Sequence, residues 1–358
     1  MSESITRNVI LTPLSLPQWF QAFALRASSH EGTVVQKPEF HRDKLGGVVG
    51  LKIIAKGQRH AGRTIVSLLC IFAPLWLANL SAAIAAEPQR LTTDGKVKRD
   101  PVFLKPDRSE LLFSQLDKPN QLRLMKLDLR DRSVTPLHPN ETRAEFEPAV
   151  SLDGRYLAFV QNRGNLSLAL VIQDLMDNKQ ADIPPGGGFS GMHSPTISPD
   201  NTTVLFSYPE NNRQQLYAVT MQATNRRTIV DSNGINNWPS FSPDGKQVVF
   251  SSTRDGDYDL YVMNADGTNV RSLVTSPRQD IRPRWSPDGH RIAFTSNRDG
   301  NYELYLINAD GSGLVRLTNH PEQDDYACWN TDSNRLIYVS ERDGHFDLFW
   351  LTVPVSKP

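Results

Sequence analysis

The 358-residue chain carries 39 Lys+Arg against 39 Asp+Glu, a formal net charge of zero. That balance argues against a nucleic-acid binder, which would show a basic excess. With 39% hydrophobic residues and no block of like charges, the composition is that of a globular chain rather than a disordered or coiled-coil one.

The charge is unevenly spread. Residues 1–86 hold nine Lys+Arg and four Asp+Glu, net +5, while residues 87–358 hold the remaining 30 and 35, net −5. The division falls at an uncharged stretch, Thr64 to Ala86, preceded by Lys56, Arg59 and Arg63 and ending in Ala82-Ala83-Ile84-Ala85-Ala86. A basic flank, an apolar run and a small-residue end are the parts of a secretory signal cleaved after Ala85 or Ala86. An uncleaved membrane anchor is the alternative, since the run is long enough to span a bilayer. On either reading residues 87–358 are exported, to the periplasm or beyond. Residues 1–63 form an N-terminal extension with no sustained period, which reads as an over-extended start, with translation beginning near Val48 or Val49, or as a cytoplasmic tail. Cys328 is the one cysteine beyond the apolar run, which excludes an intramolecular disulfide in the exported part.

From residue 87 onward the sequence repeats. Trp238-Pro239-Ser240-Phe241-Ser242-Pro243-Asp244-Gly245 is echoed by Arg282-Pro283-Arg284-Trp285-Ser286-Pro287-Asp288-Gly289. Looser copies start at Pro101, Pro148 and Pro195, and a sixth has Ala327 in the proline slot, giving a period of about 45 residues. Each unit has an apolar residue two places after its anchor, a turn aspartate (Asp107, Asp153, Asp200, Asp244, Asp288, Asp332) and a second strand ending in an aromatic. In the later units an Arg-Asp-Gly turn, a third strand and an Ala-Asp-Gly turn into a fourth follow. Alternating apolar residues suit half-buried strands, and Asp-Gly supplies the positive-φ positions of tight turns. Six units of four antiparallel strands predict an all-β fold, a six-bladed β-propeller over 87–358. Gln89-Arg90-Leu91-Thr92 matches the fourth-strand segment Val315-Arg316-Leu317-Thr318. The N-terminal strand is therefore expected to complete the last blade and close the ring.

In these repeats the chain resembles the TolB-like six-bladed β-propeller family, whose units are WD-repeat-like. The resemblance covers roughly residues 88–352 and is sharpest in blades four and five. It implies a periplasmic scaffold; in the family's namesake the propeller binds the peptidoglycan-associated lipoprotein at one mouth of its channel. The namesake also carries a small α/β domain ahead of the propeller, which is not expected here.

Strand order puts the Arg-Asp-Gly turns and the blade-to-blade connections on one face, where the loops are longer and more varied. That face is the expected recognition surface. Nearest the channel on it are Glu145, Glu147, His193, Asn236, Trp238, Asp280, Arg282, Asp324, Asp325 and Tyr326. In the family an aspartate three places before the anchor recurs, and Asp280 and Asp324 match it. Trp, Tyr and Arg are favoured interface anchors, so this acidic and aromatic rim is expected to contact a protein or peptide.

The catalytic motifs HExxH, G-x-S-x-G and the P-loop are missing from the sequence. Gly186 to Gly191 satisfies G-x-G-x-x-G but leads into a strand rather than a helix, so a dinucleotide site is not expected. The leading expectation is a non-enzymatic, monomeric envelope module without catalytic residues, metal or cofactor. It would bind an envelope protein or peptide, with the peptidoglycan-associated lipoprotein implied by the resemblance, and would meet the membrane only through an uncleaved anchor. Nucleic acid is not an expected partner, and the acidic exported part favours a basic or hydrogen-bond-donating one. The alternative is a channel-centred, metal-dependent hydrolase or lyase acting on a carbohydrate or lactone, with His193 and His320 joining Glu145, Asp280 or Asp324.

Overall fold

The computed structural model describes residues 9–11, 40–42, 49–51, 87–119, 121–164, 167–185, 191–210 and 213–354. The chain divides into two units, Met1–Ala82 and Ala83–Pro358. In the first, Val9–Leu11, Phe40–Arg42 and Val49–Leu51 pair as a small antiparallel sheet, which the sequence did not lead us to expect. The expected export signal at 64–86 and the glycine-rich stretch at 186–190 lie outside the described residues.

The second unit is built of six four-stranded antiparallel sheets. Blade one runs Lys98–Phe103, Glu110–Lys118, Gln121–Asp128, Val134–Pro136; blade four runs Asn236–Phe241, Gln247–Ser252, Asp259–Asn264, Arg271–Val274. Blades two, three and five follow the same order, starting at Glu145, His193 and Asp280. Blade six consists of Asp324–Trp329, Arg335–Arg342 and His345–Thr352, with Gln89–Arg90 paired to its third strand at Phe349 and Trp350. Each first strand packs against the first strands of the two neighbouring blades, blade six against blade one included, so the six surround a common channel.

The apolar core lies between blades rather than within them. Because successive strand residues face opposite sides, Val248 and Phe250 pack toward blade three while Val249 packs toward blade five. Six such clusters exist among the described residues, one at each blade interface. The cluster between blades six and one holds Leu91, Phe113, Leu127, Ile337, Val339 and Leu348. Each fully buried Leu or Phe contributes about 1.5–3 kcal/mol, so the sheets are held face to face along their whole length.

Polar side chains repeat as regularly. All six turn aspartates accept the backbone N–H two residues on, at 2.8–3.1 Å, while Gly245 and Gly289 take positive φ. The Ser242 hydroxyl and the Lys246 N–H hold the Asp244 carboxyl below the usual aspartate range, and the Ser109 N–H and hydroxyl do the same for Asp107. In the Arg-Asp-Gly turns the arginine folds inward. Arg298 donates to Ser296 at 3.0 Å and to Asp280 at 2.7 Å and lies over the rings of Phe294 and Tyr305. Arg254 makes the same set with Ser252 and Asn236, and Arg342 reaches Asp324 at 2.9 Å.

The first strand of blade one departs from this scheme. Lys98, fully buried, stands where the other blades have Glu145, Met192, Asn236, Asp280 and Asp324. It reaches Asp347 on the last blade at 3.3 Å, and Asp347 also accepts from Thr92 at 2.6 Å and from Arg90. In blade five Glu303 accepts from Thr318 and Arg316 in the same way. The Arg-Leu-Thr echo is thus an echo of an anion-binding strand. Burial alone would push the Asp347 carboxyl up, but Thr92, Arg90 and Lys98 outweigh it and leave its pKa lowered. A depressed carboxyl stabilises the fold at neutral pH, and this contribution fades as pH falls through the ordinary carboxylate range, near about 4. Asp347→Ala removes the shared acceptor of Lys98, Arg90 and Thr92 but leaves Lys98 its bridge to Asp94, and is expected to cost about 1–3 kcal/mol in denaturant unfolding. Deleting residues 87–93 should cost at least as much, and unchanged unfolding of that truncation would contradict this description of the seam.

Candidate functional site in the channel

Every first strand carries a β-bulge, seen as a register slip against the second strand. At each bulge one non-glycine residue adopts a left-handed backbone: Asp100, Glu147, Ser194, Trp238, Arg282 and Tyr326, with φ between 50° and 58°. Such residues cost on the order of 1–3 kcal/mol each and persist only where their surroundings impose them. Here hydroxyls on the preceding blade help to do so. Ser114 accepts the Glu147 N–H at 3.1 Å, Ser207 donates to Asn237 at 2.7 Å, and Thr295 donates to Asp325 at 2.8 Å. A bulge re-aims its side chain, and these six form one layer of the channel.

The layer has the same backbone in each blade and different chemistry. On the side of blades four to six, the Arg282 guanidinium lies between the rings of Trp238 and Tyr326, 4.8 and 4.3 Å from their centroids. Asp325 holds it at 3.1 Å, and the Tyr326 hydroxyl accepts from it at 3.2 Å. A cavity of about 410 Å³ adjoins this stack, with Tyr302, Phe346, Ile281 and Val339 among its apolar walls and Gln279, Gln323 and Arg99 among its polar ones. It opens where the first strands begin, on the face of the Arg-Asp-Gly turns. Rigid aromatic walls with a few fixed polar groups suit the insertion of side chains from a partner.

On the side of blades one to three, Glu147 accepts the Ser194 N–H at 2.5 Å and lies 3.2 Å from Nδ1 of His193. Burial pulls the His193 pKa down, but the Glu147 carboxylate outweighs it and leaves it raised. Asp100 makes no hydrogen bond or ion pair among the described residues. Burial, with Glu147 beside it, pushes its carboxyl up to about 7 against the opposing pull of Arg282, Arg284 and Arg99.

Of the rim residues expected from the sequence, Glu147, His193, Trp238, Arg282, Asp325 and Tyr326 come together in the channel. Glu145, Asn236, Asp280 and Asp324 do not, their side chains being bonded within their own blades. They are 0–3% exposed and are held inside their own blades, Glu145 by His138 at 2.8 Å and by Gln161, the others by the serine and arginine bonds above. A buried acid at the start of a strand is explained by the arginine it neutralises. Nor do His193 and His320 join these acids: the His320 Nδ1 accepts the Glu322 N–H, and among the described residues no three His, Cys, Asp or Glu side chains form a metal-ligand set. Asp100 and Ser194 were missed. The signal available for them was the residue just before each anchor, a column that varies from blade to blade.

The Asp100 shift fixes a sign. A carboxyl whose folded pKa is raised stabilises the fold below its unfolded pKa, and that contribution is lost as pH rises through about 7. The wild type is therefore expected to lose stability relative to Asp100→Asn between pH 4 and pH 8, read from denaturant midpoints. Parallel curves would show that Asp100 titrates normally.

Residues 220–357, from the end of blade three onward, match the family model described as the TolB beta propeller domain. No curated protein matches the chain in sequence. Among solved structures, a candidate TolB of Agrobacterium tumefaciens is 18% identical with a TM-score of 0.57, over 74% of this chain and 93% of that one. TolB of Acinetobacter baumannii is 20% identical with a TM-score of 0.54, over 68% of this chain and 64% of that one. An oligogalacturonate lyase of Vibrio parahaemolyticus is 16% identical with a TM-score of 0.51, over 74% and 93%. At these identities the likeness is one of fold, shared by TolB proteins and a lyase alike. Residues 220–357 are thus similar to the TolB beta propeller domain, and residues 87–354 share with these structures the fold of a six-bladed β-propeller.

Proposed function

We propose that the protein is an exported, non-enzymatic propeller of the bacterial envelope that binds a protein or peptide at the channel mouth formed by blades four to six. The observation that carries this reading is the Trp238–Arg282–Tyr326 stack beside a cavity walled by Tyr302 and Phe346. Aromatic and arginine side chains held rigid before binding lose little entropy when a partner arrives. The net −5 of residues 87–358 favours a basic partner. A peptidoglycan-associated lipoprotein is one partner of the expected kind, by likeness to TolB. A second reading, a lyase or hydrolase acting in the channel, draws support from the fold shared with oligogalacturonate lyase and from the His193–Glu147 pair, which could serve as a general base.

Chemical cross-linking in envelope preparations separates the two. The wild type is expected to give a discrete cross-linked product that Trp238→Ala and Tyr326→Ala each reduce at least tenfold, with Glu147→Gln unchanged. A product indifferent to both aromatic substitutions would remove this mouth as the binding site. Turnover of a carbohydrate or lactone that is lost in Glu147→Gln would establish the enzyme instead. Export is checked separately: mass spectrometry of the envelope-associated protein should find its N-terminus at Ala86 or Glu87, and a protein retaining residues 64–86 would show an anchor.

A further inference from the structure

Five of the six second strands carry a phenylalanine at one level: Phe113, Phe159, Phe206, Phe250 and Phe294. In blades three to five its partner on the third strand is a tyrosine, whose hydroxyl donates to an acid toward the turn, Glu210, Asp255 or Asp299. Blade six reverses the pair, with Tyr338 on the second strand and Phe349 on the third. Tyr338 is fully buried, and its hydroxyl has no hydrogen-bond partner among the described residues. The Ser340 hydroxyl two residues on donates to Asp324 instead, at 2.5 Å. Packing does not require the Tyr338 hydroxyl, since phenylalanine fills the same position in every other blade. A buried hydroxyl without a partner costs stability, so its presence calls for another explanation.

Tyr338 stands on the wall of a second cavity, of about 350 Å³, a size within the range of small-molecule sites, roughly 300–1,000 Å³. Asp324 and Arg342 line it from blade six, and Asn319 and His320 from the end of blade five. Asp324 accepts from Ser340 and Arg342 through one carboxylate oxygen, and its other oxygen makes no bond among the described residues. Arg342 likewise bonds through one terminal nitrogen, at 2.9 Å to Asp324, and leaves the other unbonded. The His320 Nδ1 accepts the Glu322 N–H at 3.1 Å, so Nε2 remains to donate. Because Asp324 and Arg342 already neutralise each other, neither a free anion nor a free cation gains an uncompensated charge there. What is left over is an acceptor beside a donor, with the Tyr338 hydroxyl able to act as either. Adjacent hydroxyl groups match that pattern, since each both donates and accepts. Pro88, Leu317 and Leu351 add an apolar wall that suits the C–H face of a ring. We infer that this cavity binds a neutral sugar, with neighbouring hydroxyls on Asp324 and Arg342 and a further one on Tyr338. The six residues of the channel layer do not line it, so the inference is independent of both readings of the channel.

The test uses the purified full-length protein and calorimetric titration at pH 7.5. Glucose, galactose and N-acetylglucosamine are the probes, glycerol supplies hydroxyls without a ring, and acetate and ethylammonium each supply one charge. One of the three sugars is expected to bind at least tenfold more tightly than glycerol or either ion. Tyr338→Phe should weaken that sugar at least tenfold, with a denaturant midpoint no lower than the wild type's and an unchanged cross-linked product at the channel mouth. The variant carries the residue that five blades already have, so it is expected to fold. The inference is overturned if no sugar outbinds the controls, or if Tyr338→Phe binds it as the wild type does. A clearly less stable variant would also overturn it, by showing that the hydroxyl is already bonded within the fold.

Discussion

A left-handed residue at the same place in six strands is the constraint on which the channel depends. A regular strand would alternate its side chains between the two blade interfaces and present backbone to the axis. The bulge breaks that alternation once per blade and turns one side chain inward, at a conformational cost that hydroxyls from the neighbouring blade help to sustain. The backbone solution is the same in every blade, so the side chain at that position is free to differ. Asp100, Glu147, Ser194, Trp238, Arg282 and Tyr326 share one geometry and almost no chemistry.

Blades one and six meet at the other specialised place. Blades two, four, five and six hold their first strand with an acid or amide bonded to their own residues, among them Asp280 with Arg298 and Asp324 with Arg342, while blade three has the buried Met192. Blade one has Lys98 instead, which crosses to Asp347 on the last blade, where Arg90 and Thr92 converge. A buried ion pair is a poor source of net stability but a strong discriminator of register, since misaligned strands would bury an unpaired charge. The seam joins strands more than 240 positions apart in sequence, where local turns cannot set the register.

Much of the fold could be read before any coordinates. The anchors, the turn aspartates and the alternating strands follow from period and composition, because each serves a local need repeated six times. The sheet of Val9–Leu11, Phe40–Arg42 and Val49–Leu51 could not, since three-residue strands leave no period to detect. For the site, different columns of the repeat carry different information. Asp280 and Asp324 drew attention because they recur, yet the recurrence serves an internal need of blades five and six, a counter-ion for the inward arginine. Trp238, Arg282 and Tyr326 were found through their residue types. Asp100 and Ser194 were not, because a lone acid and a lone serine carry no such signal of their own.

The central claim is that one face of the propeller, the one where the first strands begin, meets the partner. Hydrogen–deuterium exchange with and without the cross-linked partner tests it most directly. The account predicts new protection in the loops at residues 253–258, 275–279, 297–302 and 319–323, and none in the turns at 242–246, 265–267, 286–290 and 309–311. Protection confined to those turns would place the partner on the opposite face and contradict it.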